Sequence, residues 1–374
     1  ARCAHPWNKL PACSRGKERA APRTTAVGTH STESALRGAI CSMTSMRRFL
    51  HSARAAVQPP LSRTASALRP HAAQPFRRIA DGRMASGGAA SQPFFRYMSA
   101  WFCPFAHRCT IALEHHSERV KYEWVEALGW EQRPNEDGTT GQGHEWWYHW
   151  KSEELMQHNP NGLVPTLVEA AAPGSGAPEP QHPRAAMESL VTVEFVDAIS
   201  GATGKQRLIS EDLWEAARAR VWADRVNKEC CSPYYTVLVR TEDGERMEGF
   251  QALLAGLRAF DSELQKTPGP TFLADAQLSN VDISLIPWAY RFYVFEHYRG
   301  ERYTLQRSDP TLQRYWAWFD HVMALPQVAR TLPGKDRYLA HIKKYADSSA
   351  RSKVANAVRR GVSAHEYDDK KDEY

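Results

Sequence analysis

The stretch that decides the fold is YMSAWFCPFAHRC, residues 97–109. Its first residues predict a short strand, and Pro104 predicts the first turn of a helix, where the N–H that proline lacks would have had no partner. Cys103 then lies at the helix N-terminus, where free N–H groups and the helix dipole favour a thiolate. We therefore expect a depressed pKa and a reactive thiol at Cys103. A buried cysteine that only packs at a strand–helix junction is the alternative.

Charge divides the chain of 374 residues into a basic leader and a mildly acidic body. Residues 1–92 hold fifteen basic and three acidic residues, whereas the rest holds 33 basic and 39 acidic residues. The segment from Met46, MRRFLHSARAAVQPPLSRTASALR, has the composition of an organellar transit peptide, and its basic amphipathic pattern favours a mitochondrion over a plastid. A start at Met84 would give a cytoplasmic form, and a disordered basic tail without an address is the alternative.

The remaining composition argues against several classes of protein. The sequence contains no run of eighteen apolar residues, so we expect no transmembrane helix. The acidic body offers no nucleic-acid surface. The chain has seven cysteines. The four outside the leader show neither the paired C-x-x-C spacing of a zinc site nor the framework of a secreted domain. We expect no metal and a reducing compartment.

The order of predicted elements after the leader is that of a mixed α/β domain. Residues 93–98 and 120–126 predict strands around a helix that begins at Pro104, and a polar, glycine-containing segment follows at about 129–145. Gly162-Leu163-Val164-Pro165-Thr166-Leu167 predicts a turn and then a strand. Pro165 interrupts that strand, which is tolerable at a special site such as a cis-proline facing a ligand.

The second half of the chain is nearly all helical in pattern. Helices are predicted to begin near residues 210, 245 and 309, and Ser279 with Asp282 predicts a capping box. The charged, apolar-poor end is predicted to be disordered. The chain thus divides into a leader at 1–92, an α/β domain at 93–202, an all-helical domain at 203–346 and a tail at 347–374.

Three motifs stand in a fixed order before the helical half. They are Cys103-Pro104-Phe105-Ala106, the segment 162–167, and Glu188-Ser189. This set resembles the cysteine-active, omega-like glutathione transferases over about residues 93–345. The resemblance implies a thioredoxin-like domain with a mixed four-stranded sheet that binds glutathione as co-substrate, an all-helical domain that shapes the pocket of the second substrate, and a homodimer.

The resemblance also implies site residues in the first two motifs. It makes Cys103 the catalytic cysteine and Phe105 the aromatic residue that flanks it. Val164, which precedes the cis-proline Pro165, would pair its backbone with the cysteinyl part of glutathione as an added strand does.

The two ends of glutathione have their own predicted partners. The resemblance implies that Glu188 and Ser189 hold the γ-glutamyl end and that Lys151 lies near the glycine carboxylate. These residue types suit glutathione, which is anionic with one ammonium and needs a cation at one end and a carboxylate with a helix N-terminus at the other. Glu188-Ser189 as an ordinary helix start, with Ser as the cap, is the alternative, and Lys151 as a solvated surface charge is another.

The residues near Cys103 indicate which reactions its thiol can carry out. Ala106 stands where a dithiol oxidoreductase would place its second cysteine, so the site is monothiol. We expect Cys109 to face the core and His107 and Arg108 to point to solvent or to a surface salt bridge. Ser99 could be offered as a hydroxyl that activates glutathione, although Cys103 holds the better position.

The favoured function is a glutathione-dependent thioltransferase or reductase acting on a small apolar, disulfide or glutathionylated substrate. Cys103 would form a mixed disulfide with glutathione, and a second glutathione would release it. Two alternatives stay open. One is a conjugating glutathione transferase of low activity, and the other is a non-catalytic binding module with the same fold.

Overall fold

The computed structural model describes residues 92–134, 146–274, 278–368 and 371. The predicted leader at 1–92 lies outside the described residues except for Gln92. Within the described ranges, no helix has both the length and the apolar character needed to cross a bilayer.

The first half of the described chain is an α/β domain. Its elements are β1 (Phe94–Ser99), α1 (Pro104–His115), β2 (Lys121–Glu126), β3 (Leu128–Arg133), β4 (Trp146–Lys151), α2 (Glu153–His158), β5 (Thr166–Glu169), β6 (Ala185–Met187) and α3 (Ser189–Ile199). Four of these strands form a mixed sheet in the order β2-β1-β5-β6, in which β1 and β2 are parallel and the other two pairings are antiparallel. The thioredoxin-like fold with a mixed four-stranded sheet is confirmed.

Tyr97 connects this sheet to α1 by a hydrogen bond. It lies on the central strand opposite Trp124 and Leu167 and is fully buried. Its hydroxyl donates to the carbonyl oxygen of Ala106 over 2.6 Å. The start of α1 is therefore fixed directly above the sheet.

A second, three-stranded sheet includes the start of the polar, glycine-containing segment predicted at about 129–145. Strand β3 pairs antiparallel with β4, while residues 135–145 between them lie outside the described residues. Gly129 lets the two strands approach, since a Cβ atom there would lie 2.3 Å from the indole nitrogen of Trp150. The polar, glycine-containing segment predicted at about 129–145 therefore begins with a strand, because its first residues pair with the Trp-rich strand β4.

The helical half follows α3 without further strands until its end. Its elements are α4 (Leu213–Val226), α5 (Ser232–Val239), α6 (Asp243–Leu264), α7 (Asn280–Ala289), α8 (Tyr293–Arg299), α9 (Gln313–Ala324), α10 (Pro326–Ala329), α11 (Lys335–Ala346), β7 (Ala350–Arg351) and α12 (Lys353–Arg359). A π-helical turn, Asn227–Cys231, joins α4 to α5. The predicted capping box at α7 is present, with Ser279 and Asp282 bonded to each other's backbone N–H groups.

The C-terminal tail also differs from the sequence-based prediction. Strand β7 pairs with β4, and Val358 on α12 is buried against the helical half. The Arg359 guanidinium donates to the carbonyl oxygens of Ser348 and Ala350 over 2.9 and 2.5 Å. The predicted disorder from residue 347 is therefore wrong for the described part of the tail, because a few small apolar side chains find a surface that composition does not reveal.

Replacement of Val358 by alanine tests whether the tail is part of the folded body. We expect Val358→Ala to lower the free energy of unfolding by about 2 kcal/mol, since it removes buried methyl groups. Glu248→Ala on α6 is the control, because Glu248 is exposed and such substitutions usually change stability by less than about 0.5 kcal/mol. Urea unfolding measures both, and equal values would show that the tail does not pack.

Candidate active site

One cavity brings the predicted site residues together. Its volume is about 390 Å³, within the range of small-molecule sites. The predicted residues that line it are Cys103, Phe105, Lys151, Val164, Pro165, Glu188 and Ser189. Side chains of α5, α11 and the C-terminal segment complete the wall, so the cavity lies between the sheet domain and the helical half.

Cys103 lies at the start of α1 as the sequence predicted. It is the N-cap residue, and its Sγ atom lies 4.0 Å from the carbonyl oxygen of Val164. Burial raises the pKa of Cys103, while hydrogen bonds from the backbone of Ala106 and Phe105 lower it. The predicted depression of the pKa is therefore wrong: the helix N-terminus acts in the expected direction, but desolvation of the thiolate is the larger effect.

The loop before β5 presents Val164 to the cavity. The Val164–Pro165 peptide bond is cis, as the position of Pro165 suggested. The Asn159 side-chain amide donates to the carbonyl oxygen of Leu163 and to the Thr166 hydroxyl, both over 3.0 Å. These bonds fix the loop, and its residues Leu163, Val164 and Pro165 form part of the cavity wall.

Glu188 has an unusual backbone conformation at the start of α3. Its φ of 70° lies in the left-handed region that disfavours side chains other than glycine. Glu188 is the N-cap residue without a side-chain capping bond, and Ser189 is the first helical residue. Ser189 therefore does not cap α3 in the ordinary way. Such strained residues cluster at functional sites, which favours a binding role for this pair.

Lys151 ends β4 at the edge of the cavity. Its aliphatic stem lies on Gly162, since a Cβ atom there would come within 2.5 Å of Lys151 Cδ. Gly162 has a φ of +59°, so both its conformation and its missing side chain support this contact. Lys151 is half-buried and lines the cavity.

The sequence-based placement of His107 and Arg108 is wrong. Both are buried, and the His107 ring bonds to the Thr331 hydroxyl over 2.8 Å. Arg108 donates to Ser189 Oγ over 3.0 Å. Helix α1 is covered on both sides, by the sheet and by the helical half, so a polar side chain on its second face is buried as well. One feature of the sequence argued against a surface salt bridge within the helix: no acidic residue stands three or four positions from Arg108.

Aromatic side chains form the upper part of the cavity. The Phe105 ring is parallel to that of Tyr235, with centroids 6.4 Å apart, and the His365 ring meets its edge at 5.5 Å. His365 belongs to the C-terminal segment, which the sequence did not connect with the site. Flat apolar molecules suit such a wall.

Two further expectations concern cysteines and metals. Cys109 is fully buried and faces the core as predicted, and burial raises its pKa to about 12. Ser99 is also fully buried and does not line the cavity. In the described part of the chain, no group of three or more His, Cys, Asp or Glu side chains is arranged to hold a metal ion.

Comparisons with known proteins agree with this architecture. Residues 102–199 match the family model of the glutathione S-transferase N-terminal domain. The chain is 27% identical to glutathione transferase GST 23 of Zea mays over 191 residues, which is 51% of this chain and 77% of that protein. It is 23% identical to glutathione S-transferase U13 of Arabidopsis thaliana over 251 residues, which is 67% of this chain and 95% of that protein.

Solved structures give the same result. Glutathione transferase Omega 3C of Trametes versicolor is 26% identical, with a TM-score of 0.50, and the match covers 68% of this chain and 90% of that one. Rice GST1, solved in complex with glutathione, shares the fold at 20% identity with a TM-score of 0.52, over 69% of this chain and 98% of that one.

The pH dependence of Cys103 alkylation tests the burial of the thiol. Because burial raises the pKa of Cys103 above the ordinary value of 9.0, we expect the rate of reaction with iodoacetamide to keep rising above pH 9. Mass spectrometry of the tryptic peptide Tyr97–Arg108, which contains no other cysteine, measures this rate. Free glutathione is the control. A rate that levels off near neutral pH would contradict the assignment.

Proposed function

We propose, from the match of residues 102–199 to the glutathione S-transferase N-terminal domain and from the similar relatives and solved structures, that this chain is a glutathione-dependent thioltransferase or reductase with Cys103 as its single catalytic thiol. The observation that carries the proposal is the position of Cys103. The thiol lies at a helix N-terminus on a cavity wall, 4.0 Å from the backbone carbonyl of Val164.

The proposed reaction proceeds by two thiol–disulfide exchanges. The Cys103 thiolate attacks the glutathionyl sulfur of a substrate R–S–S–G, which forms Cys103–S–S–G and releases R–S⁻, protonated to R–SH by solvent. A second glutathione thiolate then attacks the mixed disulfide, regenerates the Cys103 thiolate and leaves as glutathione disulfide. Each turnover therefore consumes one free glutathione, and the other half of the glutathione disulfide comes from the substrate. The reducing thiol must come from solution, because Ala106 offers no second thiol and Cys109 is buried.

Glutathione would occupy the wall that the sheet domain provides. Its cysteinyl part would pair with the backbone of Val164, and its γ-glutamyl end would lie at Glu188 and Ser189 at the start of α3. Lys151 would hold the glycine carboxylate. The aromatic side chains around Phe105 would receive a small apolar substrate or the non-glutathionyl part of a disulfide.

One observation favours a second candidate, a conjugating glutathione transferase. A thiol whose pKa is raised by burial is protonated at neutral pH. The S–H group of Cys103 could then donate a hydrogen bond to the thiolate of glutathione, which would itself attack an electrophile.

We also propose a homodimer. Four apolar side chains on α3 and α4 are strongly exposed, at 56% for Val191, 83% for Leu213, 85% for Trp214 and 66% for Val221. A second copy of the chain would remove this patch from water. Sedimentation equilibrium is expected to give a dimer that Trp214→Glu dissociates, whereas a wild-type monomer would contradict the proposal.

Replacement of Cys103 separates the two candidates. We expect Cys103→Ser to reduce thioltransferase activity by on the order of a hundredfold or more, because serine cannot form the mixed disulfide. Glutathione binding, measured by calorimetry, should persist. Ser99→Ala is the matched control and should retain activity, since Ser99 lies outside the cavity.

The outcomes differ clearly between the two reactions. Unchanged thioltransferase turnover in Cys103→Ser would eliminate the proposed mechanism. A gain in conjugation of an aryl halide by the same variant would favour the second candidate. The serine hydroxyl would then donate to the glutathione thiolate in place of the Cys103 S–H group.

A further inference from the structure

Arg108 is a buried cation without an acidic partner. Its side chain is fully buried on α1, five residues after Cys103. It donates to the Ser189 hydroxyl, the Asn227 side-chain oxygen over 2.8 Å and the Ser284 carbonyl oxygen over 2.9 Å. Nη2 also donates to Cys231 Sγ over 3.4 Å, and burial raises the pKa of that thiol to about 12. All four acceptors are therefore uncharged near pH 7. Among the described residues, no carboxylate forms an ion pair with Arg108.

Arg291 is a second buried cation of the same kind. It lies just after α7 and is fully buried. Its Nη1 group donates to the Pro287 carbonyl oxygen over 2.6 Å and to His107 Nδ1 over 3.2 Å. Its Nε and Nη2 groups have no hydrogen-bond partner within the described ranges, and the guanidinium lies 4.6 Å from the centre of the Tyr338 ring.

His107 connects Arg291 to the first turn of α1. A guanidinium only donates hydrogen bonds, so His107 Nδ1 accepts and Nε2 carries the proton toward Thr331. Burial lowers the pKa of His107 well below its ordinary value, followed by the effect of Arg291, so the ring is neutral. The backbone N–H of His107 donates to the Cys103 carbonyl oxygen over 3.0 Å.

Two buried positive charges need an anion nearby. An unpaired buried charge is strongly unfavourable, and proteins pair such groups or place them where a counter-charge forms. Ring faces offset part of this cost for Arg108, which lies 4.4 Å from the centre of the Trp288 ring and 5.6 Å from that of Phe105. Phe105 itself follows Cys103 by two residues, so the guanidinium lies behind the turn that carries the thiol.

We propose that Arg108 and Arg291 are positioning residues that stabilise the Cys103 thiolate from behind the cavity wall, through the first turn of α1. Neither touches the reacting sulfur. The two cations make the interior beneath the turn positive, so the negative charge that catalysis needs forms where it satisfies them. This inference rests on the proposed role of Cys103 and extends it to the groups that set its charge.

Electrostatics supports the arrangement. Burial raises the pKa of Cys103, and Arg291 and Arg108 are the two charged side chains that lower it. The reciprocal effect is present but small: burial lowers the pKa of Arg108, and Cys231, Tyr235 and then Cys103 raise it. The arginines therefore act against desolvation, together with the backbone N–H groups.

Most other titratable groups on the cavity wall are neutral near pH 7. Burial lowers the pKa of His149 and His365 to about 3 and that of His341 well below its ordinary value. Burial also raises the pKa values of Tyr235, Tyr338 and Tyr345.

The charged side chains of the wall are the remaining groups that face the thiol. They are Lys151, Glu188, Asp224, Lys228 and Lys353, the last lying over the ring of Tyr367. Lys228 pairs with Asp224 over 2.8 Å. Lys353 is itself buried, whereas the other four wall charges are reached by solvent and salt. The two arginines are not reached, and this difference can be measured.

Alkylation of Cys103 in arginine variants tests the proposal. We expect Arg108→Met and Arg291→Met each to slow the reaction with iodoacetamide at pH 8 by about tenfold, which corresponds to a pKa rise of about one unit. Arg108→Lys and Arg291→Lys keep the charge and should slow it by less than about threefold. Arg307→Met is the control, because Arg307 is exposed, lies outside the cavity and pairs with Asp320 over 2.8 Å.

Circular dichroism and thermal unfolding identify the variants that fold. An unchanged alkylation rate in a folded Met variant would overturn the proposal, and so would Lys variants that react as slowly as the Met variants. Alkylation needs no glutathione, so its result is independent of the turnover of Cys103→Ser.

Salt provides a test on the wild-type protein that does not depend on folding of a variant. Because buried charges are poorly screened, the alkylation midpoint should stay constant between about 0.05 M and about 1 M salt. A midpoint that rises with salt would show that the wall lysines, and not the arginines, control the thiol.

Discussion

The structure depends on the burial of α1 between two partners. Ten of its twelve residues are buried. The sheet holds the helix through Tyr97, and the helical half holds it through Arg108 and His107. This double contact places Cys103 on the wall of the cavity between the two halves. It also partly desolvates the thiol, so the same packing that positions the nucleophile raises its pKa.

Two parts of the chain that are remote in sequence then complete the cavity. Strand β4 carries Lys151 to its edge, and β7 pairs with β4 in parallel. That pairing directs the C-terminal segment across the helical half, where His365 reaches the ring of Phe105. The second sheet thus connects the glutathione side of the proposed site with the wall for the second substrate.

Local signals in the sequence predicted most of the fold and the members of the candidate site. The proline after Cys103, the capping box at Ser279 and the proline of the Val164–Pro165 bond each act through their immediate neighbours, so a single sequence shows them. The burial of Arg108 and the order of the tail depend on surfaces that only the complete fold creates. The predicted depression of the Cys103 pKa was wrong for the same reason. The effect of the helix N-terminus is local, whereas desolvation depends on everything packed around the thiol.

The most direct test of the account is the reaction of the protein with glutathione disulfide, followed by peptide mass spectrometry. Among the four described cysteines, attack by the Cys103 thiolate should give one glutathionyl adduct, on Cys103, with release of one glutathione thiolate. Added glutathione should remove this adduct and leave no disulfide within the protein, because the site has no second thiol. An adduct on another described cysteine, or a bond between Cys103 and Cys109, would contradict a monothiol site built around Cys103.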